Sequence, residues 1–183
     1  ADALLLTDQG AAYAQASDDK EAKTRKTPAM REKVYKRLAE AQELVESGDT
    51  NGAVSVLTEL KGMRDLNAYE VAQVWSFFGY IYYAAENYPE SIKAYEMVLQ
   101  QPEIPVAMEN TTMYTLAQLH FTQENYSKAE KMLLRWFESA VDPGPEPYIL
   151  LGQLYYQLER YKDAIVPVET AIRLAKESGR EIK

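Results

Sequence analysis

Hydrophobic residues return along this chain at three- and four-residue intervals, the spacing that places them on one face of an α-helix. Val34, Leu38, Ala41 and Leu44 trace such a face, and Leu57 and Leu60 continue it on a second helix. Three later stretches share a fuller grammar. The first is Trp75-x2-Phe78-Gly79-x2-Tyr82, followed by Tyr88, Ser91, Tyr95 and Val98 and closing near Pro102. The second is Met113-x2-Leu116-Ala117-x2-His120, then Tyr126, Ala129, Leu133 and Trp136, closing near Pro143. The third is Tyr148-x2-Leu151-Gly152-x2-Tyr155, then Tyr161, Ala164, Val168 and Ala171.

The pattern resembles the tetratricopeptide repeat, W-x2-L-G-x2-Y, then A-x3-F, then Pro. The resemblance implies an all-α fold, a right-handed α-solenoid of antiparallel helix pairs. A small residue at Gly79, Ala117 or Gly152 lets paired helices approach, and Tyr82 and Tyr95 fill the space beside it. The small positions are 38 and then 35 residues apart, against a family period of about 34, which predicts slightly longer early connections or second helices. A fourth, degenerate unit lies upstream: Gly48-Asp49-x3-Ala53 mirrors Asn87-Tyr88-x2-Ser91, and Ala41 stands where Gly79 does, without the aromatic signature.

Helix punctuation supports four pairs over Thr27 to Ser178. Thr27-Pro28 predicts an N-cap and first turn, Asn67 to Glu70 has the spacing of a capping box, and Asn87 with Pro89 opens a second helix. Pro143-Gly144-Pro145 predicts a helix end, and Pro167 a kink within the last helix. The repeat domain spans 27–183, with a degenerate repeat at 27–66 and repeats at 67–104, 105–143 and 144–178. Residues 1–26 predict a mobile arm or loosely attached helix, whose Leu4, Leu5 and Leu6 could dock on the solenoid of the same or a neighbouring chain. The last helix is too apolar for a solvating cap. Ile165, Ile172 and Leu174 there predict a homodimer surface or a seat for a further repeat after Lys183, which would make the chain the N-terminal part of a longer solenoid.

In this family the first helix of each pair lines the inner, concave surface. That resemblance assigns a protein- or peptide-binding groove to Phe77, Tyr80 and Tyr83, then Tyr114, Gln118 and Phe121, then Ile149, Gln153 and Tyr156. The surface is aromatic with amides between, and tyrosine brings large contact area at modest entropic cost. Helical aromatic stripes are also core material, so part of this set is expected to pack on neighbouring repeats. Family members that clamp chaperone C-terminal carboxylates use cations at such places. Here Ser76, Tyr80, Tyr114, Thr115 and Gln118 offer none.

Composition narrows the chemistry. A net charge of -8 and a pI near 4.8 disfavour nucleic acid and anionic membranes. Without cysteine there is neither disulfide nor thiolate metal site. No apolar run reaches the roughly 20 residues of a membrane helix, so a soluble chain without membrane insertion is expected. His120 is the sole histidine and takes the place of Tyr82 and Tyr155, which predicts a core residue. No H-E-x-x-H, G-x-S-x-G or Walker spacing occurs. These points predict no catalytic residues, no metal, no cofactor and no enzymatic activity.

Finally, the stretch from Thr24 through Lys26-Thr27-Pro28-Ala29-Met30-Arg31-Glu32 to Gly48-Asp49 resembles the start of periplasmic tetratricopeptide proteins accompanying the TonB, ExbB and ExbD energy-transduction machinery. The start at Ala1, without methionine, suits an exported, processed chain or a trimmed one. The resemblance implies a periplasmic adaptor in TonB-dependent uptake of iron complexes, with a component of that system as partner. The alternatives are a scaffold for envelope or pilus assembly, or a cytosolic regulator using the same groove.

Overall fold

The computed structural model describes residues 28–179. Leu4, Leu5, Leu6 and the predicted N-terminal arm therefore lie outside the described residues. Among the described residues the chain forms eight helices and no strand: α1 (Glu32–Glu46), α2 (Thr50–Lys61), α3 (Ala68–Ala84), α4 (Tyr88–Leu99), α5 (Val106–Thr122), α6 (Tyr126–Ser139), α7 (Pro145–Gln157) and α8 (Tyr161–Glu177). The all-α class is as expected. Two compact units divide within α5, one ending at Thr112 and the other beginning at Met113.

In the first unit α1 packs on α2, α2 on α3, α3 on α4, and the first helices α1 and α3 also touch. Val34, Leu38 and Ala41 of α1, Ala53, Leu57 and Leu60 of α2, and Val74, Phe78 and Ile81 of α3 form one buried cluster. The predicted helical faces therefore become the core. In the second unit α6 packs on α7 and α7 on α8, with Leu133, Leu151, Leu154 and Ala171 buried.

Close approach explains the small positions. A β-carbon on Gly79 would stand 2.7 Å from Tyr95 Cζ, and one on Gly152 would stand 2.7 Å from Val168 Cγ2. The buried Ser91 hydroxyl donates to the Gly79 carbonyl at 2.7 Å, tying α4 to α3.

All four hairpin corners have three residues: 47–49, 85–87, 123–125 and 158–160. In each, a left-handed residue follows the first helix: Gly48 (φ 86), then Glu86, Glu124 and Glu159 (φ 58 each). The chain then turns back, with amides of Asp49, Asn87, Asn125 and Arg160 donating at 2.8 Å to carbonyls of Leu44, Tyr82, His120 and Tyr155. This six-to-one closure is the Schellman arrangement.

Constant corners locate the length variation elsewhere. α4 has 12 residues and α6 has 14, so the early second helix is the shorter one, contrary to one half of the sequence expectation, whereas the connection at 100–105 is one residue longer than that at 140–144, as the other half has it. Most of the excess lies in the first helices, 17 residues in α3 and α5 against 13 in α7.

Three punctuation signals are also corrected. α1 begins at Glu32, not at Pro28, because its N-cap Arg31 is extended (ψ 143) and residues 29–31 are held against the start of α3. There Asn67 Nδ2 donates to the Ala29 carbonyl at 2.9 Å. Asn67 does cap α3, accepting from the Glu70 amide at 2.8 Å. Glu70 does not complete a capping box; its buried carboxylate binds Arg31. Pro143-Gly144 lies after α6, which ends at Ser139, and Pro145 opens α7 at a position where its missing N–H costs nothing. α8 is assigned as one helix through the buried Pro167.

Candidate protein-binding surface

The nine residues assigned to the groove do not behave alike. On α3, Phe77 and Tyr80 are half-buried and packed against the core cluster of the first unit, whereas Tyr83 is 49% exposed. On the part of α5 in the second unit, the Tyr114 ring lies 5.1 Å from that of Trp136 on α6. Gln118 is exposed and Phe121 half-buried. On α7, Ile149 is half-buried and Gln153 exposed, and Tyr156 is 61% exposed. The fully presented members are thus Tyr83, Gln118, Gln153 and Tyr156, one or two per first helix.

Three of the four first helices end in an aromatic pair that spans the corner. Tyr83 meets Tyr88 edge-on at 5.9 Å, Phe121 meets Tyr126 at 5.5 Å, and Tyr156 meets Tyr161 at 5.4 Å. Edge-to-face rings at such separations attract through their quadrupoles. Tyr88, Tyr126 and Tyr161, which open the second helices of these three hairpins, therefore extend the surface beyond the nine residues read from sequence. Their signal was present as an aromatic residue followed five positions later by tyrosine, in three repeats. The first hairpin has Val45 and Thr50 at these places.

Behind Tyr80 and Tyr83 lies Tyr95, its ring against Gly79. Burial, with smaller contributions from Tyr80 and Tyr83, pushes the Tyr95 hydroxyl pKa well above the ordinary tyrosine value. It stays neutral, a buried polar tip beneath an aromatic surface.

Around α7 and α8 the electrostatics are built on Arg160. Its guanidinium lies 4.6 Å over the Tyr155 ring and bonds Glu130 Oε1 at 2.6 Å and Asp163 Oδ2 at 2.8 Å. Burial raises the Tyr155 pKa, the nearby Glu130 charge raises it further, and Arg160 opposes both. Arg160 is therefore committed within its own unit and is not a receptor for an incoming carboxylate.

His120 is buried on α5. Among the described residues no three histidine, aspartate or glutamate side chains converge as metal ligands, and no helix is long and apolar enough to cross a membrane. What the exposed first-helix side chains can do is make contact: flat rings, amides and no unpaired buried charge, a surface suited to another polypeptide.

Comparison with known proteins agrees with the repeat pattern. The family model described as Tetratricopeptide repeat matches residues 38–103 and 114–178. No curated protein matches the sequence. Among solved structures, a crystal structure of MamA is similar at TM-score 0.63 and 15% identity, covering 80% of each chain. The structure of MamA 41-end from Desulfovibrio magneticus RS-1 is similar at TM-score 0.64 and 19% identity, covering 81% of this chain and 79% of that one. At these identities the likeness is one of fold.

Proposed function

The chain belongs to the tetratricopeptide repeat family, and from that premise we propose that it is a non-catalytic interaction module which holds a protein or peptide against the first-helix faces of its hairpins. The observation that carries this reading is the exposure of Tyr83 and Tyr156, each braced edge-on by the ring that opens the next helix. Bracing restrains the rings before a ligand arrives, which lowers the entropic cost of contact. Gln118 and Gln153 supply donors and acceptors alongside. Phe77, Tyr80, Tyr114, Phe121 and Ile149 are half-buried and offer partial faces on the same helices.

The proposed setting is the periplasm, with the chain acting as an adaptor in TonB-dependent uptake of iron complexes and a TonB-system component as its partner. The motif from Thr24 to Asp49 supports this setting. Two measurements test it. Cell fractionation places the chain in the periplasm or elsewhere. Calorimetric titration with the periplasmic domains of TonB and ExbD is expected to show saturable binding, lost in a Tyr83→Ala/Tyr156→Ala double variant whose helical spectrum is unchanged. Cytoplasmic location, or no binding by either domain, removes the TonB role. Binding that ignores the double variant removes the surface assignment.

A further inference from the structure

Helix α8 carries an uncovered apolar stripe. Tyr161 (55% exposed), Ile165 (54%), Val168 (42%) and Ile172 (41%) follow one another at intervals of four, three and four residues, and so share one flank of the helix. Ala171, Ala175 and Pro167 are buried and α8 packs on α7; Val168 borders Gly152 and Tyr161 borders Tyr156, so the stripe runs along the edge of its own hairpin's contact with its outer side open. Charged residues Glu169, Arg173, Lys176 and Glu177 surround Ile172 in a shallow hollow.

The other hairpins show what this flank does when covered. Ile172 stands eleven residues into its helix, where α2 has Lys61 and α6 has Phe137. Lys61 Nζ lies 5.1 Å over Trp75 on α3, and the Phe137 ring lies 4.9 Å from Tyr148 on α7. At these two of the three equivalent positions, Leu99 of α4 being the third, the residue meets an aromatic ring of the covering helix. Ile172 has the same seat, 41% exposed within a charged rim, without such a ring.

We propose that the occupant is a second copy of this chain, with α8 paired antiparallel to the α8 of its partner about a two-fold axis. The spacing selects this occupant. A four-three-four stripe reads the same in both directions, so antiparallel pairing centred between Val166 and Pro167 sets Tyr161 opposite Ile172 of the second copy and Ile165 opposite its Val168. Each Ile172 thereby gains the aromatic cover that Lys61 and Phe137 have within the chain. The charges beside the stripe agree: the same pairing brings Lys162 of one copy next to Glu169 of the other, and symmetry makes the complementary contact twice. Self-pairing on α8 uses Tyr161, whose ring braces Tyr156 at 5.4 Å, so the two surfaces meet at that corner; substitutions at Ile165 and Ile172 leave both tyrosines in place and keep the two readings separable.

The test is sedimentation equilibrium of the full chain. The wild type is expected to show a concentration-dependent dimer, and an Ile165→Glu/Ile172→Glu variant a monomer with the same helical circular dichroism. Should that variant fail to fold, the charge pair still decides. Lys162→Glu and Glu169→Lys alone are each expected to weaken the dimer roughly tenfold, and the double reversal to restore it. A wild type that stays monomeric at high micromolar concentration, a dimer that ignores the isoleucine substitutions, or a double reversal weaker than either single one would overturn the proposal. A foreign helix covering the stripe would appear as the first of these outcomes.

Discussion

The guanidinium of Arg31 forks onto the carboxylate of Glu70, 39 residues away, with Nε 3.1 Å from both oxygens and Nη2 3.0 Å from Oε2. Nη2 also donates to the Asp65 carbonyl at 2.8 Å. Glu70 has 1% of its side chain exposed against 37% for Arg31, so the arginine delivers charge to a carboxylate that water does not reach. Hydrogen bonding to that carboxylate raises the arginine pKa. Removing one partner of a buried pair is more damaging than removing both, because the remaining charge is stranded. Arg31→Met is therefore expected to lower the melting temperature, and Arg31→Met/Glu70→Leu to recover part of the loss. Calorimetric melting of the three proteins checks the order.

The glycine at the α3–α4 contact gives a second prediction. Gly79→Ala drives a methyl into the Tyr95 ring, buried on both sides, and overpacking of this kind costs about 1–3 kcal/mol. Tyr95→Leu in the same chain relieves the clash. Gly152→Ala meets only Val168, which is 42% exposed and free to give way. There the helix preference for alanine, about 1 kcal/mol, offsets the strain, so the variant should unfold in urea close to wild type.

The pairing around these glycines was legible in the sequence because a small residue flanked by Trp75, Phe78 and Tyr82 encodes a local event, one helix face against its hairpin partner. Glu70 was misread for the opposite reason. Its spacing from Asn67 fits a local capping box, but its counter-ion comes from before α1, and no short-range pattern records an ion pair of that separation. Tyr114 is intermediate: first-helix placement was readable, whereas its tilted contact with Trp136 depends on how α5 and α6 pack. Likewise, helix periodicity exposed the apolar character of α8, but only the structure shows which of its residues remain uncovered.

Alkaline pH should act through Tyr95. Its folded pKa is raised above the unfolded value of about 10. Folding therefore favours the protonated hydroxyl, and the resulting stability is complete below about pH 10 and declines as pH rises past it. Urea unfolding at successive pH values should show this decline in the wild type and a shallower one in Tyr95→Phe.

At the corners, backbone handedness predicts opposite effects for similar changes. Gly48 occupies φ 86 without a β-carbon, whereas Glu86 holds φ 58 with one. Gly48→Ala should destabilise by about 1 kcal/mol and Glu86→Gly should stabilise by a comparable amount. Chemical denaturation midpoints at constant slope provide the check.

The fixed corners also decide where the hairpins can differ in length. Because the turn ends each first helix in the same way, length differences accumulate at the opposite tip. α3 has 17 residues and α7 has 13, a difference of about 6 Å at 1.5 Å per residue. The added turn of α3 holds the buried Glu70 and its half-buried neighbours, so it serves the Arg31 ion pair and not the exposed face. The hairpins thus share one corner geometry, and the added length of α3 anchors the segment before α1 through Asn67 and Glu70 instead of enlarging its exposed face.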